Sequence, residues 1–183
     1  MQQIISLLLE NKPGALMRVT GLLVQRGYNI ESLTVARTLD PSLSRMTIEV
    51  DVDPNIRTQV IKQMNKLVNV LQATDVTTGQ FVNREMVLVR VRINPQTRTS
   101  VLKEAEIFHA RVVDSTTEGF TLEATGDGEK LEEFIEVMKV YGDIDVTRSG
   151  IVSMSLDHRK PRLAPPVPRG AAVEEALELQ EAE

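Results

Sequence analysis

Cysteine is absent from the 183 residues, which excludes disulfides, thiol nucleophiles and Cys-ligated metals together. Histidine occurs only as His109 and His158, too few for a multi-histidine metal cage. Aromatic residues make up 3% and the formal net charge is −5. A broad nucleic-acid surface, which needs a basic face and stacking rings, is therefore not expected. No apolar run approaches the roughly 18 residues that would span a bilayer. Residues 1–9 lead into Glu10 with no basic start and no small-residue cleavage site. No signal or transit peptide is expected from them, and a cytoplasmic location is. What is present is a globular composition, 42% hydrophobic and 26% charged, with length for one or two domains.

The first part of the chain reads as strand, helix, strand, strand, helix, strand. Ile4–Leu9 is an apolar run stopped by Asn11-Lys12-Pro13-Gly14, a breaker cluster. Leu16, Val19, Leu22 and Leu23 then fall at helical spacing, and Gly27 stands where a glycine ends a helix. Asn29–Thr38 has strand composition, and Met46, Ile48, Val50 and Val52 alternate with polar residues. Asp53-Pro54 offers a cap and a first-turn proline. The stripe Ile56, Val60, Ile61, Met64, Leu67, Val68 and a strand over Val70–Val76 follow. The pattern then repeats: a strand over Met86–Ile93, a helix near Thr97–Phe108, strands at Val112–Ser115 and Phe120–Thr125, a helix carrying Leu131, Phe134, Ile135 and Met138, and a closing strand at Ile144–Val146. Two βαββαβ units, an α+β class with ferredoxin-like topology, account for this order. Their expected limits are 1–78 and 84–158, followed by a Pro-rich and acidic tail over 159–183. Lys160–Gly170 holds four of the eight prolines; the rest is either a marginal or disordered spacer or a partner-binding helix resting on Val173, Leu177 and Leu179. A βαββαβ unit leaves edge strands uncovered. Asn29–Thr38 carries no proline or lysine to block pairing, so two-fold self-association through it is expected.

Local chemistry points to binding. Asn11-Lys12-Pro13-Gly14 forms a helix start, where free N–H groups and the positive dipole end favour an anion. Simple capping by Asn11 explains the same residues. Gly126-Asp127-Gly128-Glu129-Lys130 is too short for a phosphate-binding Walker loop. In Asp51-Val52-Asp53-Pro54-Asn55-Ile56 an isoleucine stands where a calcium loop requires glycine. Gly-x-Ser-x-Gly is absent. Glu132-Glu133 reads as solvated helix surface, and His109 as a helix-end dipole partner. No nucleophile, base and orienting group assemble.

Particular runs carry a resemblance. Leu8-Leu9-Glu10-Asn11, Gly14-Ala15-Leu16 and above all Gln25-Arg26-Gly27-Tyr28-Asn29-Ile30-Glu31-Ser32-Leu33-Thr34-Val35 are similar to the small regulatory subunits of acetohydroxyacid synthase (acetolactate synthase). Ser44-Arg45-Met46-Thr47-Ile48, Lys66-Leu67-Val68, Arg84-Glu85-Met86, Val112-Val113-Asp114 and Arg148-Ser149-Gly150 continue the match, which covers about residues 1–158. The resemblance implies an N-terminal ACT domain, a second ferredoxin-like domain and a homodimer. It also implies a non-catalytic role: activating a large catalytic subunit that carries thiamine diphosphate, Mg²⁺ and FAD, and conferring feedback inhibition by valine. The effector would lie between protomers, with Asn11, Gly14 and Ala15 of one facing Asn29 and Ile30 of the other, and with Leu16 and Ile30 as apolar walls. No cofactor, nucleic acid or membrane is implied for the subunit itself. Two other functions fit the topology: a stand-alone ACT-domain amino-acid sensor with another partner, and an acylphosphatase-like hydrolase using Arg18.

Overall fold

In the computed structural model, residues 2–156 are described. The first unit runs β1 (Gln2–Glu10), α1 (Ala15–Gln25), β2 (Asn29–Arg37), β3 (Leu43–Asp51), a 3-10 turn (Pro54–Ile56), α2 (Arg57–Met64) and β4 (Val70–Asp75). Its four strands are antiparallel, in the order β2-β3-β1-β4. Ile5, Leu7 and Leu9 of β1 and Met46, Ile48 and Val50 of β3 point to one face, where Val19, Leu23, Val60 and Met64 of the helices cover them. Both strands of the pair thus present their alternate residues to one core. Asp53 accepts from the Asn55 N–H at 2.8 Å and opens the 3-10 turn ahead of α2.

The second unit repeats the plan with β5 (Phe81–Arg92), α3 (Arg98–Ile107), β6 (Arg111–Ser115), β7 (Gly119–Gly126), α4 (Gly128–Lys139) and β8 (Ile144–Arg148), then adds β9 (Val152–Ser155). The order β6-β7-β5-β8 matches that of the first sheet. Asp127 caps α4 by accepting from the Lys130 N–H at 3.0 Å, and the four apolar residues expected on this helix are all buried. Both units therefore have the expected βαββαβ topology.

Three local expectations are corrected. Val68 is not part of a buried helical stripe: α2 ends at Met64, and Val68 is 59% exposed in the turn beyond it. The central strand of the second sheet begins at Phe81 rather than Met86, and its first residues pair with β9. That last strand follows a turn at Gly150 and exposes Val152 and Met154, so no buried alternation marks it. The tail over 159–183, with Val173, Leu177 and Leu179, lies outside the described residues, as does His158. Among the described residues no helix is long and apolar enough to cross a membrane.

Candidate functional site

The start of α1 is open. Gly14 holds φ +80, and a Cβ placed there would meet nothing within 4 Å. No side chain caps the helix and no acidic residue occupies its first turn; the Ala15 N–H turns back to the Lys12 carbonyl at 3.2 Å, and the N–H groups that follow it, with the positive dipole end, face that space. Ala15 is buried beneath, while Leu16 is 42% exposed at the rim. Asn11 is not the cap. Its Nδ2 donates to the Pro41 carbonyl at 2.9 Å and its backbone N–H to the Ser42 carbonyl at 2.7 Å, bracing the β2–β3 loop. The reason is spacing: Gly14, three residues further on, takes the cap position itself. Arg18 donates to Asn69, whose Nδ2 in turn donates to Glu10 at 2.7 Å. The Arg18 guanidinium is thus engaged by Asn69, although the residue as a whole is exposed.

Asn29 and Ile30 lie elsewhere. The register places Gln2 and Asn29 both opposite Asp51, whereas Glu10 is opposite Leu43 and Arg37 opposite Ser44. Asn29 therefore starts β2 at the end of the sheet remote from α1's start. About eight residues of strand, roughly 26 Å, separate the two groups within one chain. Asn29 is exposed and its Nδ2 donates to Glu31; Ile30 is half-buried against the core. Between Ile30 and Ser32 the strand bulges. The candidate residues thus fall into two groups, at opposite ends of the edge strand β2. Val35 on that edge is 43% exposed, and Val24 of α1 is 68% exposed.

A second cluster escaped the sequence reading. Ser32 and Leu33 of β2, Glu49 of β3, Glu85 of β5 and Arg148 with Gly150 line a cavity of about 350 Å³ between the two units. Arg148 bridges Glu85 at 3.2 Å and Glu132 at 2.5 Å, so Glu132 is an ion-pair partner as well as solvated surface. Burial pushes the Glu49 carboxyl above its usual range; Ser32 donates to it and opposes the shift, while the charges of Glu85 and Glu31 add to it and Arg148 relieves it. The cluster's members stand in separate stretches of the sequence, Ser32-Leu33, Glu49, Glu85 and Arg148-Ser149-Gly150, and nothing in their spacing brings them together. Glu49 had looked like the outward half of an alternating strand.

The sign of this effect is testable. A carboxyl whose folded pKa is raised favours folding more as pH falls through that value, and weakens it above. Glu49→Gln is therefore expected to raise Tm at pH 7, with the gap over wild type closing as pH falls toward 4. Thermal melts across that range check it, and a lower Tm at pH 7 would reverse the assignment.

The doubled βαββαβ fold defines a two-domain α+β protein of ferredoxin-like topology. A family profile described as "AHAS small subunit-like ACT domain" matches residues 5–72, and one described as "Small subunit of acetolactate synthase" matches 84–157. The chain is 44% identical over 160 residues to a probable acetolactate synthase small subunit of Archaeoglobus fulgidus, covering 87% of this chain and all of that one. It is also 44% identical over 156 residues to the acetolactate synthase isozyme 3 small subunit of Escherichia coli, covering 85% and 96%. The crystal structure of the acetolactate synthase small subunit from Thermotoga maritima superposes with a TM-score of 0.76 at 34% identity, covering 86% of this chain and 99% of that one. The chain belongs to the acetolactate synthase small-subunit family.

Proposed function

We propose that this chain is a non-catalytic regulatory subunit that binds the large catalytic subunit of acetolactate synthase in the cytoplasm, raises its rate and makes it sensitive to valine. The catalytic partner, in this reading, carries thiamine diphosphate, Mg²⁺ and FAD, and this subunit carries no cofactor of its own. Beside the family membership, the observation that supports it is the division of the candidate effector residues between the two ends of β2. A two-fold pairing of β2 with the β2 of a second copy runs antiparallel. It sets Asn29 of the partner subunit at the Arg37 end of this strand, the end at which α1 begins. Each half-site is then completed by the other protomer.

The chemistry of the completed site suits an amino acid. Its carboxylate meets the start of α1 at Gly14 and Ala15, held by the N–H groups of the first turn beyond Ala15, whose own N–H donates to the Lys12 carbonyl. Its ammonium donates to the side-chain oxygen of Asn29 of the partner subunit, and Leu16 with Ile30 of the partner subunit walls a branched side chain. An effector held between protomers favours one dimer geometry over another, which is a route to regulating a third protein docked on the dimer.

Titrating the chain into its cognate large subunit, with and without valine, tests the proposal. Acetolactate formation is expected to rise with added chain and to fall again with valine, while the chain alone forms none. Product from the isolated chain, or no change in rate on mixing, would overturn it.

A further inference from the structure

We infer that the turn Arg148–Gly150 between β8 and β9 is the contact through which the effector-bearing strand β2 acts on the second domain. The inference deepens the regulatory reading above and rests on it. On the first domain, Asn29 and Ile30 belong to the same strand as Ser32, Leu33 and Thr34, so the half-site and the seam share one element. Thr34 Oγ1 donates to the Ser149 carbonyl at 3.4 Å. Gly150 holds φ +78 and packs so closely that a Cβ there would stand 2.6 Å from Thr34 Oγ1 and 3.7 Å from the Ser32 Cβ. Only glycine meets both the backbone angle and the approach.

On the second domain the same turn is fastened to two elements. The Ser149 N–H donates to the Met86 carbonyl at 3.0 Å, and Ser149 Oγ accepts from the Met86 N–H at 3.0 Å, tying the turn to β5 at the centre of the sheet. Arg148 joins Glu85 of β5 to Glu132 of α4. A displacement of β2 is therefore passed to β5 and α4 through packed and hydrogen-bonded groups. A cavity of about 350 Å³ lies beside the contact, and the bulge at Glu31 marks where the strand departs from regular pairing with β3. The turn thus works as a transmitting contact and lies outside the effector site itself.

Gly150→Ala in the full chain, assayed with its large subunit, tests this. Valine binding by calorimetry is expected within about threefold of wild type, and activation without valine is expected unchanged. The valine concentration for half-inhibition is expected to rise at least tenfold. Thr34→Val, which keeps the side-chain size, removes the hydroxyl that reaches Ser149 and adds no strain at positive φ, carries the test if Gly150→Ala does not fold; about a threefold rise is expected. A folded variant that binds valine and is inhibited like wild type would overturn the inference, as would loss of valine binding, which would place the turn's effect in the site itself. Failure of the wild-type chain to bind valine would instead overturn the effector reading, and the inference with it.

Discussion

Gly14→Asp is expected to yield a dimeric subunit that still raises the rate of the large subunit and no longer responds to valine. If the effector carboxylate rests on the first turn of α1, the new carboxylate stands beside it. At about 4 Å and an effective dielectric near 20, two like charges repel by roughly 4 kcal/mol, about a thousandfold in affinity before screening. The fold has reason to survive. The space around Gly14 is open, and an acidic group is favourable at a helix N-terminus. Strain is the competing effect, because the residue holds φ +80, a region in which Asp and Asn are the best tolerated of the L-residues. Gly14→Asn separates the two effects: it has the same backbone demand and nearly the same shape, without the charge. Calorimetry is expected to show Gly14→Asn retaining most of the valine affinity that Gly14→Asp loses. Equal loss in both variants would assign the effect to the backbone, and near wild-type affinity in a folded Gly14→Asp protein would remove the effector from this helix start.

How far the sequence could be read depended on how many copies a feature needs. β3 announces itself because Met46, Ile48 and Val50 face one core. The four buried residues of α4 do so for the same reason. β1 reads as an unbroken apolar run instead of an alternation, and the structure explains it: Leu8 on the outer face is buried too, at 7% exposed. A strand covered on both faces loses its period-2 signal. Asn11 was legible as part of the helix start but not in its role, because capping and loop-bracing draw on the same side-chain chemistry and only the position of Gly14 decides between them. β9 was hidden because its apolar residues face outward. The separation of Asn29 from Gly14 was least accessible of all, since spacing along a chain says nothing of which end of a sheet a residue reaches. Only the resemblance implied the pairing; the register of β1, β2 and β3 shows that the two groups lie at opposite ends of β2.

If the effector lies between protomers, dimerisation is a precondition of binding, and Val35→Asp is expected to expose this. Val35 pairs with Met46, whose side chain is fully buried in the core, while Val35 itself stays 43% exposed on the free edge of β2. In a two-fold pairing through that edge its exposed part is covered. The substitution removes an apolar contact and places a carboxylate, together with its symmetry mate, in the seam, where desolvation costs several kcal/mol per unpaired ion. The dimer dissociation constant is expected to rise at least a hundredfold, about 2.8 kcal/mol, by sedimentation. Valine binding should vanish at protein concentrations below the new dissociation constant and return above it. That concentration dependence separates a site shared between protomers from one merely damaged by the mutation. Val113→Asp supplies the control: Val113 is 53% exposed on β6, the corresponding edge strand of the second sheet, and the same change there should leave the dimer and valine affinity intact. A Val35→Asp protein that is monomeric, folded and still binds valine at wild-type affinity would put the effector within one protomer. That outcome would require a site that does not join Gly14 to Asn29 at all.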